Sequence, residues 1–482
     1  MCGLFGIRAP GRDVARLTYF GLHALQHRGQ ESAGIAVSEH GRLTALRDLG
    51  LVTQVFDEQK LNALRGQVAI GHTRYSTTGS SQWSNAQPLV QHGRARTIAL
   101  GHNGNLVNDT ALREELHAAG VTLRASSDSE VIAALIANDE SPLDEAVANA
   151  MGRLEGAYSV VALSRGTLIA FRDPHGFRPL VLGRMRATRS VGGGAAHARP
   201  DDRAAFGGPG DWVVASETCA LDLVGAEFVR EVERGEAVLV DEDGLRCVRA
   251  VDPADGGSLC IFEFFYLARP DTRLAGIEVH AARLRMGEQL AREAPAEADL
   301  VLPIPDSGTP AAIGFSRALS IPFSEGLIKN RYIGRTFIQP DQELRQQGVR
   351  LKFNPLAEVA GKRVVVVDDS IVRGNTTRAI VRMLFDAGAA EVHVRVSSPP
   401  VVGQCFYGID LADPSEMIGA DKSVDEIRAY IGANSLAYLS HDGLVAATKR
   451  PESELCRGCL TRDYPTRVPA RHAKLRFETV PA

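Results

Sequence analysis

Three groups of residues in this 482-residue chain have types and spacings that could do chemistry. Cys2 follows Met1 directly. Cys is small, so loss of Met1 is expected, leaving one residue with both a thiol and a free α-amine of reference pKa about 7.7–8.0. Nucleophile and base then share a residue. The second group spans 364–377, where Val364, Val365, Val366 and Val367 run into Asp368, Asp369, Ser370, Ile371, Val372, Arg373, Gly374, Asn375, Thr376 and Thr377. Small residues opening a helix present backbone N–H groups and a positive dipole end to an anion, most simply a phosphate. Adjacent carboxylates cannot hold that phosphate; they suit hydroxyls or a divalent cation. Together these types describe a sugar that bears a phosphate. The absence of a Gly-x-x-x-x-Gly-Lys-Ser/Thr run excludes a P-loop NTPase. The third group is Cys456-Arg457-Gly458-Cys459 with the distant Cys260 and Cys405. Four such thiols can hold Zn²⁺ or an iron–sulfur cluster, and spacing alone does not choose. Cys219 and Cys247 read as ordinary core or surface residues.

These groups need elements to place them. Four consecutive valines predict a strand buried on both faces. A periodic helix follows (Ala379, Ile380, Met383, Leu384) and ends near Gly388; a strand at 392–396 completes a βαβ unit. Asp368 and Asp369 fall at the carboxyl end of the strand, where open α/β sheets bind ligands. A second strand at 300–305 leads into Asp306, Ser307, Gly308, Thr309 and Pro310, with a helix from Ala311. That edge suits a diphosphate. Between the two, residues 328–352 carry Lys329, Arg331, Arg335, Arg345, Arg350 and Lys352, able to fold over a diphosphate and exclude water. In the first half, 97–100, 158–163 and 168–172 alternate as strands do, and 14–27 and 128–137 read as helices. The stretch 184–211 is Gly/Ala/Arg-rich without apolar periodicity, a surface insertion to which no function is assigned. From about Leu259, strands alternate with helices, predicting a mostly parallel sheet.

Composition narrows the class. Hydrophobic residues make up 44%, ample for buried cores, and 482 residues predict two or three domains. A net charge of −4 argues against nucleic acid or an anionic membrane surface. No apolar run approaches the ~18 residues of a membrane span, and the start lacks the basic, then apolar, regions of a signal peptide. Seven unevenly spaced cysteines do not form a disulfide framework. A cytoplasmic protein is expected.

The first half resembles the N-terminal-nucleophile glutamine amidotransferases. The likeness lies in Cys2-Gly3-Leu4-Phe5-Gly6-Ile7, His27-Arg28-Gly29-Gln30-Glu31-Ser32, Gly71-His72-Thr73-Arg74-Tyr75-Ser76, Gly101-His102-Asn103-Gly104-Asn105-Leu106 and Ser127-Asp128-Ser129-Glu130. It implies Cys2 as nucleophile, with Asn103 and the Gly104 N–H as oxyanion donors. Glutamine would be bound by Arg28, Arg74 and Asp128, Arg74 forking onto the α-carboxylate and Asp128 pairing with the α-ammonium. The stretch around Asp368 resembles the phosphoribosyl diphosphate (PRPP) signature of phosphoribosyltransferases. PRPP binding then falls to Asp368, Asp369, Ser370, Arg373, Gly374, Asn375, Thr376, Arg335 and Lys352, with Mg²⁺ at Ser307, Asp368 and Asp369. The 328–352 segment would be its closing loop. One departure stands out: the family's Arg-Gly-Thr-Thr is here Arg373-Gly374-Asn375-Thr376-Thr377.

Taken whole, the chain resembles the glutamine PRPP amidotransferases, in their iron–sulfur-bearing branch. That resemblance implies α/β and α+β architecture. An N-terminal-nucleophile αββα sandwich (2–240) precedes a type I phosphoribosyltransferase parallel-sheet domain (259–450) and a tail (451–482) with the CxxC. It implies a transferase of purine biosynthesis: Cys2 frees ammonia from glutamine, which crosses an enclosed path and displaces pyrophosphate from PRPP to give 5-phosphoribosylamine. It selects a 4Fe-4S cluster on Cys260, Cys405, Cys456 and Cys459. It further implies purine nucleotide inhibitors and a homo-oligomer, commonly a tetramer. Glucosamine-6-phosphate synthase would lack the Asp368-Asp369 loop, and an asparagine synthetase would need an ATP pyrophosphatase loop. A non-catalytic PRPP-sensing regulator is the alternative from another class; the presence of Cys2, Arg74, Asn103 and Asp128 argues against it.

Overall fold

The structure, a computed structural model, describes residues 1–185, 210–330, 352–411 and 414–469. Residues 186–209 of the expected insertion at 184–211, and most of the basic loop, including Arg331, Arg335, Arg345 and Arg350, lie outside the described residues. The chain forms two units: Met1–Cys260 with Cys405–Ala412 and Pro465–Ala482, and Ile261–Gln404 with Asp413–Tyr464.

The first unit is built on two sheets. Its first sheet contains β1 (Gly3–Arg8), β2 (Ser32–Glu39), β3 (Arg42–Leu49), β4 (Val68–Arg74), β9 (Val181–Met185), β10 (Trp212–Ala215) and β11 (Ala226–Glu231) in the order β11-β9-β10-β1-β4-β2-β3. The second contains β5 (Leu89–His92), β6 (Thr97–Leu106), β7 (Gly156–Ser164), β8 (Thr167–Arg172), β12 (Glu236–Asp241) and β13 (Gly244–Arg249) in the order β13-β12-β8-β7-β6-β5. Leu4, Ile70, Val161, Leu168 and Val214 form one apolar layer drawn from the inner faces of both sheets. The outer face of the first sheet packs with the helices Val14–Ala24 and Thr218–Val224, that of the second with Ser129–Asn138 and Leu143–Met151. Four layers are the stable arrangement for two sheets whose strands are apolar on both sides. The Ser129–Asn138 helix is buried except at its last residue, which explains its apolar sequence on every face.

The second unit centres on a four-stranded parallel sheet in the order Leu300–Pro303, Arg363–Asp368, Glu391–Val396, Ser435–Tyr438. The four valines are at most 1% exposed, as a central strand covered on both faces requires. The helix Asn375–Asp386 buries Thr377, Ile380, Val381, Met383 and Leu384 and follows a left-handed Gly374 (φ 76°). The other edge helix, Thr309–Leu319, starts two residues before the expected Ala311, with Pro310 in its first turn where a missing N–H costs nothing.

Two boundaries differ from expectation. The first unit runs to about residue 260, not 240, because β13 pairs along β12 and extends the second sheet. Residues 405–412 group with the first unit although the flanking chain belongs to the second, and 451–464 join the second unit instead of forming a separate tail.

Candidate active sites

Cys2 sits at the start of β1, which is flanked by β4 (Gly3 opposite Thr73) and by β10 (Phe5 opposite Ala215). Its backbone N–H donates to Asn103 Oδ1 at 3.1 Å, and its thiol lies 3.7 Å from the Tyr75 carbonyl. Asn103 is fully buried on β6, and its Nδ2 has no hydrogen-bond partner among the described residues. A buried amide donor without an acceptor is costly, so it marks a place where an oxygen is to be received. Next to it Gly104 adopts φ 154°; a Cβ there would come within 2.0 Å of the Ala157 carbonyl oxygen and 2.8 Å of His102 Nε2. Only glycine lets this strand approach so closely.

The residues expected to bind glutamine are brought to the same unit, each with protein partners of its own. Arg74 donates to the carbonyls of Ser80 (2.9 Å), Thr78 (3.1 Å) and Gly79 (3.3 Å), with Glu31 at 3.7 Å. Asp128 accepts from the Leu106 N–H at 2.9 Å and faces His102 Nδ1 at 3.7 Å. Burial opposes ionising either member, yet their attraction prevails: His102 is raised and Asp128 lowered from their ordinary values. Asp128 therefore keeps the negative charge an ammonium needs. His72, buried beneath, is pushed down to about 3 and stays neutral, 3.1 Å from the His102 carbonyl. Arg28, also expected to bind glutamine, lies against the expected nucleophile, its Nε donating to the Cys2 carbonyl at 3.1 Å.

Two contributors were not visible in the sequence. Residues 405–412 lie along β6: Asn105 Nδ2 donates to the Phe406 carbonyl (3.1 Å), and Arg178 donates twice to that of Tyr407 (3.0 and 2.7 Å). A Cβ on Gly408 would meet the Gly104 backbone at 2.8 Å. Ser216 and Glu217, just after β10, are fully buried beside the start of β1, although a charged residue closing an apolar strand was a usable signal.

In the second unit Asp368 and Asp369 end the central strand, 8% and 4% exposed. Ser307 and Ser370 (2.6 Å) both donate to Asp369, and the Asp369 N–H donates to Asp368 at 2.9 Å. Burial raises both carboxyls; the charge of Asp369 pushes Asp368 further, well above the carboxylate range, while the two serines partly offset the rise at Asp369. Two stacked carboxyls with hydroxyl neighbours form an all-oxygen donor set of the kind Mg²⁺ takes, alongside substrate oxygens. Of the loop, Arg373, Asn375 and Thr376 are exposed and Gly374 is buried. Arg373 pairs with Glu416, and Asn375 Oδ1 accepts from Tyr430 Oη at 2.7 Å. Lys352 lies over the Phe353 ring, and Lys329 pairs with Asp306.

The four expected cluster ligands divide two and two: Cys260 and Cys405 in the first unit, Cys456 and Cys459 in the second, all buried. Among the described residues no group of three or more His, Cys, Asp or Glu side chains is gathered that could hold a metal ion. The thiols are nonetheless suited in kind. Cys405 Sγ accepts two backbone N–H groups, from Tyr407 (3.4 Å) and Ile409 (3.3 Å).

Comparison with known proteins agrees with this geometry. A family model described as a glutamine amidotransferase domain matches residues 72–193, and one described as a phosphoribosyl transferase domain matches 278–398. The amidophosphoribosyltransferase of Mycobacterium bovis is 51% identical over 486 residues, 98% of this chain and 88% of that protein. That of Archaeoglobus fulgidus is 45% identical over 98% of this chain and 100% of its own. Among solved structures, the glutamine PRPP amidotransferase from B. subtilis complexed with ADP and GMP matches with a TM-score of 0.87 at 43% identity, covering 99% of this chain and 100% of that one. With near-complete coverage at such identity, the chain belongs to the amidophosphoribosyltransferase family.

Proposed function

We propose a residue-level division of labour for the family's reaction, in which the amide nitrogen of glutamine replaces pyrophosphate on PRPP, giving 5-phosphoribosylamine in the first step of purine biosynthesis. Cys2, freed of Met1, attacks the glutamine amide, its own α-amine taking the thiol proton and returning it to the departing ammonia. Asn103 Nδ2 and the Gly104 N–H receive the oxyanion. Arg74, with five N–H donors, turns part of its guanidinium from the 78–80 carbonyls to the substrate carboxylate, and Asp128 takes the ammonium. The observation that carries this reading is the partnerless Asn103 amide beside Cys2.

In the second unit, Asp368 and Asp369 orient the ribose hydroxyls, and the backbone at Gly374 to Thr376 cradles the 5′-phosphate, with Ser370 and Arg373 beside it. Lys352 and Arg335 meet the diphosphate. Ser307, Asp368 and Asp369 would hold Mg²⁺, which when bound neutralises charge on the leaving pyrophosphate. Ammonia must arrive unprotonated to remain nucleophilic. Because the B. subtilis relative was solved with ADP and GMP, purine nucleotides are the proposed inhibitors. A homo-oligomer in the cytoplasm is part of the same reading; among the described residues no helix is long and apolar enough to cross a membrane.

For the cysteines we keep a 4Fe-4S cluster on Cys260, Cys405, Cys456 and Cys459 as a structural group. Protein purified without oxygen is expected to be brown and to carry about four irons and matching sulfide per chain. Stoichiometric zinc would overturn that assignment. The reaction itself is tested with glutamine, PRPP and Mg²⁺, reading glutamate and pyrophosphate. Cys2→Ala should abolish glutamine use yet leave ammonia-dependent consumption of PRPP at alkaline pH. Equal loss of both would contradict two separable sites.

A further inference from the structure

Glu217 is a carboxylate with no exposure, and one of its oxygens is shared by an arginine and a histidine. Oε1 lies 2.5 Å from Arg28 Nη1 and 2.7 Å from His27 Nε2. The Cys219 thiol lies 3.8 Å from Oε2. Arg28, itself 1% exposed, passes this anchor forward, its Nε donating to the Cys2 carbonyl. The preceding residue acts in parallel: Ser216 Oγ accepts the Leu4 N–H at 2.9 Å, and its own N–H donates to the Leu4 carbonyl at 3.0 Å. The Ser216-Glu217 pair thus grips the start of β1 at two points either side of Gly3. An ionised side chain placed where water is excluded is expensive unless something fixed depends on it. Here the fixed thing is the Cys2 carbonyl, and through it the direction of both the thiol and the future α-amine. A terminal residue has a chain on one side only. Without an outside hold it would frustrate the alignment that nucleophilic attack requires.

We propose that Glu217 is a positioning residue for the glutamine half-reaction, acting through Arg28 to fix the backbone of the nucleophile. It touches no substrate atom. The proposal rests on the assignment of Cys2 as nucleophile, and the two can fail separately. Glu217→Gln keeps the side-chain shape but removes the charge that holds Arg28. The full-length enzyme carrying it should lose 30- to 100-fold in kcat for glutamine-dependent turnover, by analogy with the roughly 10²-fold costs of small misplacements. KM for glutamine should stay within about threefold. Ammonia-dependent use of PRPP should match the unaltered enzyme, which shows that the chain is folded. Arg28→Lys, which retains a cation but not the fork, should show the same split in milder form. Unchanged kcat in Glu217→Gln would overturn the proposal. So would a rise in glutamine KM at constant kcat, which would make Arg28 and its anchor a substrate clamp. If both nitrogen sources fail together in Glu217→Gln, the role is structural and the proposal falls. Should Cys2→Ala still use glutamine, the nucleophile assignment fails instead, whatever Glu217 does.

Discussion

The two catalytic regions are finished to different degrees by the protein itself. Around Cys2 the buried charges have counterparts: Arg28 has Glu217, Asp128 has His102, and the guanidinium of Arg74 rests on backbone oxygens. One amide, Asn103 Nδ2, is left without a partner among the described residues. Around Asp368 the balance is reversed. Two carboxyls are buried together with both pKa values raised, and the loop after them leaves Arg373, Asn375 and Thr376 exposed. The first site is pre-organised by the fold; the second holds buried carboxyls that the proposed cation and sugar phosphate would engage. An oxyanion forms within one substrate's side chain and needs fixed dipoles. A departing pyrophosphate brings several charges of its own, and metal and basic groups can be recruited with it.

The largest expected effect comes from discharging the acid pair. Asp368→Asn keeps the shape but removes a charge that Mg²⁺ and ribose would use. PRPP consumption should fall by about 10²–10³-fold with glutamine or ammonia alike, the scale for losing one well-placed electrostatic group. Stability should move the other way. With the folded-state pKa raised, the fold holds its proton more tightly than the unfolded chain does. That contribution is complete below the ordinary carboxylate pKa and is lost as pH rises through the raised value. Asn removes the penalty, so metal-free Asp368→Asn should melt higher at neutral pH by scanning calorimetry. By the same sign, Mg²⁺ titrated into the unaltered enzyme should bind more tightly as pH climbs through that window. Mg²⁺ binding independent of pH would show that the pair is already ionised.

A smaller effect should come from the first site, through backbone and not charge. Gly408 has φ 101° and leaves no room for a Cβ against the Gly104 backbone. Gly408→Ala should push β6 out of register with Cys2 and lower glutamine-dependent turnover by about 10- to 100-fold, since misplacement of an oxyanion donor costs on that scale. Ammonia-dependent activity should fall much less. If both rates drop equally, the 405–412 segment supports the fold generally and has no privileged bearing on the thiol site.

The sequence disclosed these two regions unequally, for physical reasons. Val364 to Val367 and the residues after them are a local signal: strand, turn and helix follow from neighbours along the chain, and the acid pair falls at the strand's end as read. Cys2, Asn103 and Asp128 were legible through short motifs, each carrying its own chemistry. What joins them was not. Glu217 reaches Arg28 across 189 residues, and Arg178 reaches the Tyr407 carbonyl across 229. Neither pairing leaves a periodicity or a spacing to read. The same limit misplaced the first boundary: β13 belongs with β12 because of a sheet edge, and its half-exposed residues gave little apolar contrast.

The smallest effect concerns the one departure from the family's loop. Asn375 opens its helix directly after left-handed Gly374, is exposed, and spends its side-chain oxygen on Tyr430 Oη. A phosphate seated here is met first by backbone N–H groups and the helix dipole, which do not depend on the side chain. Asn375→Thr restores the common sequence, trades an amide donor for a hydroxyl donor, and gives up the shorter reach to Tyr430. A single exposed neutral hydrogen bond sits at the low end of the usual range, about 0.5 kcal/mol. KM for PRPP should therefore shift by no more than about threefold, and kcat not at all, in steady-state assays with either nitrogen source. A change of tenfold or more would mean that the side chain at this position, and not the backbone around Gly374, dominates recognition of the phosphate. The second site would then be more finished by its own residues than its buried acids imply.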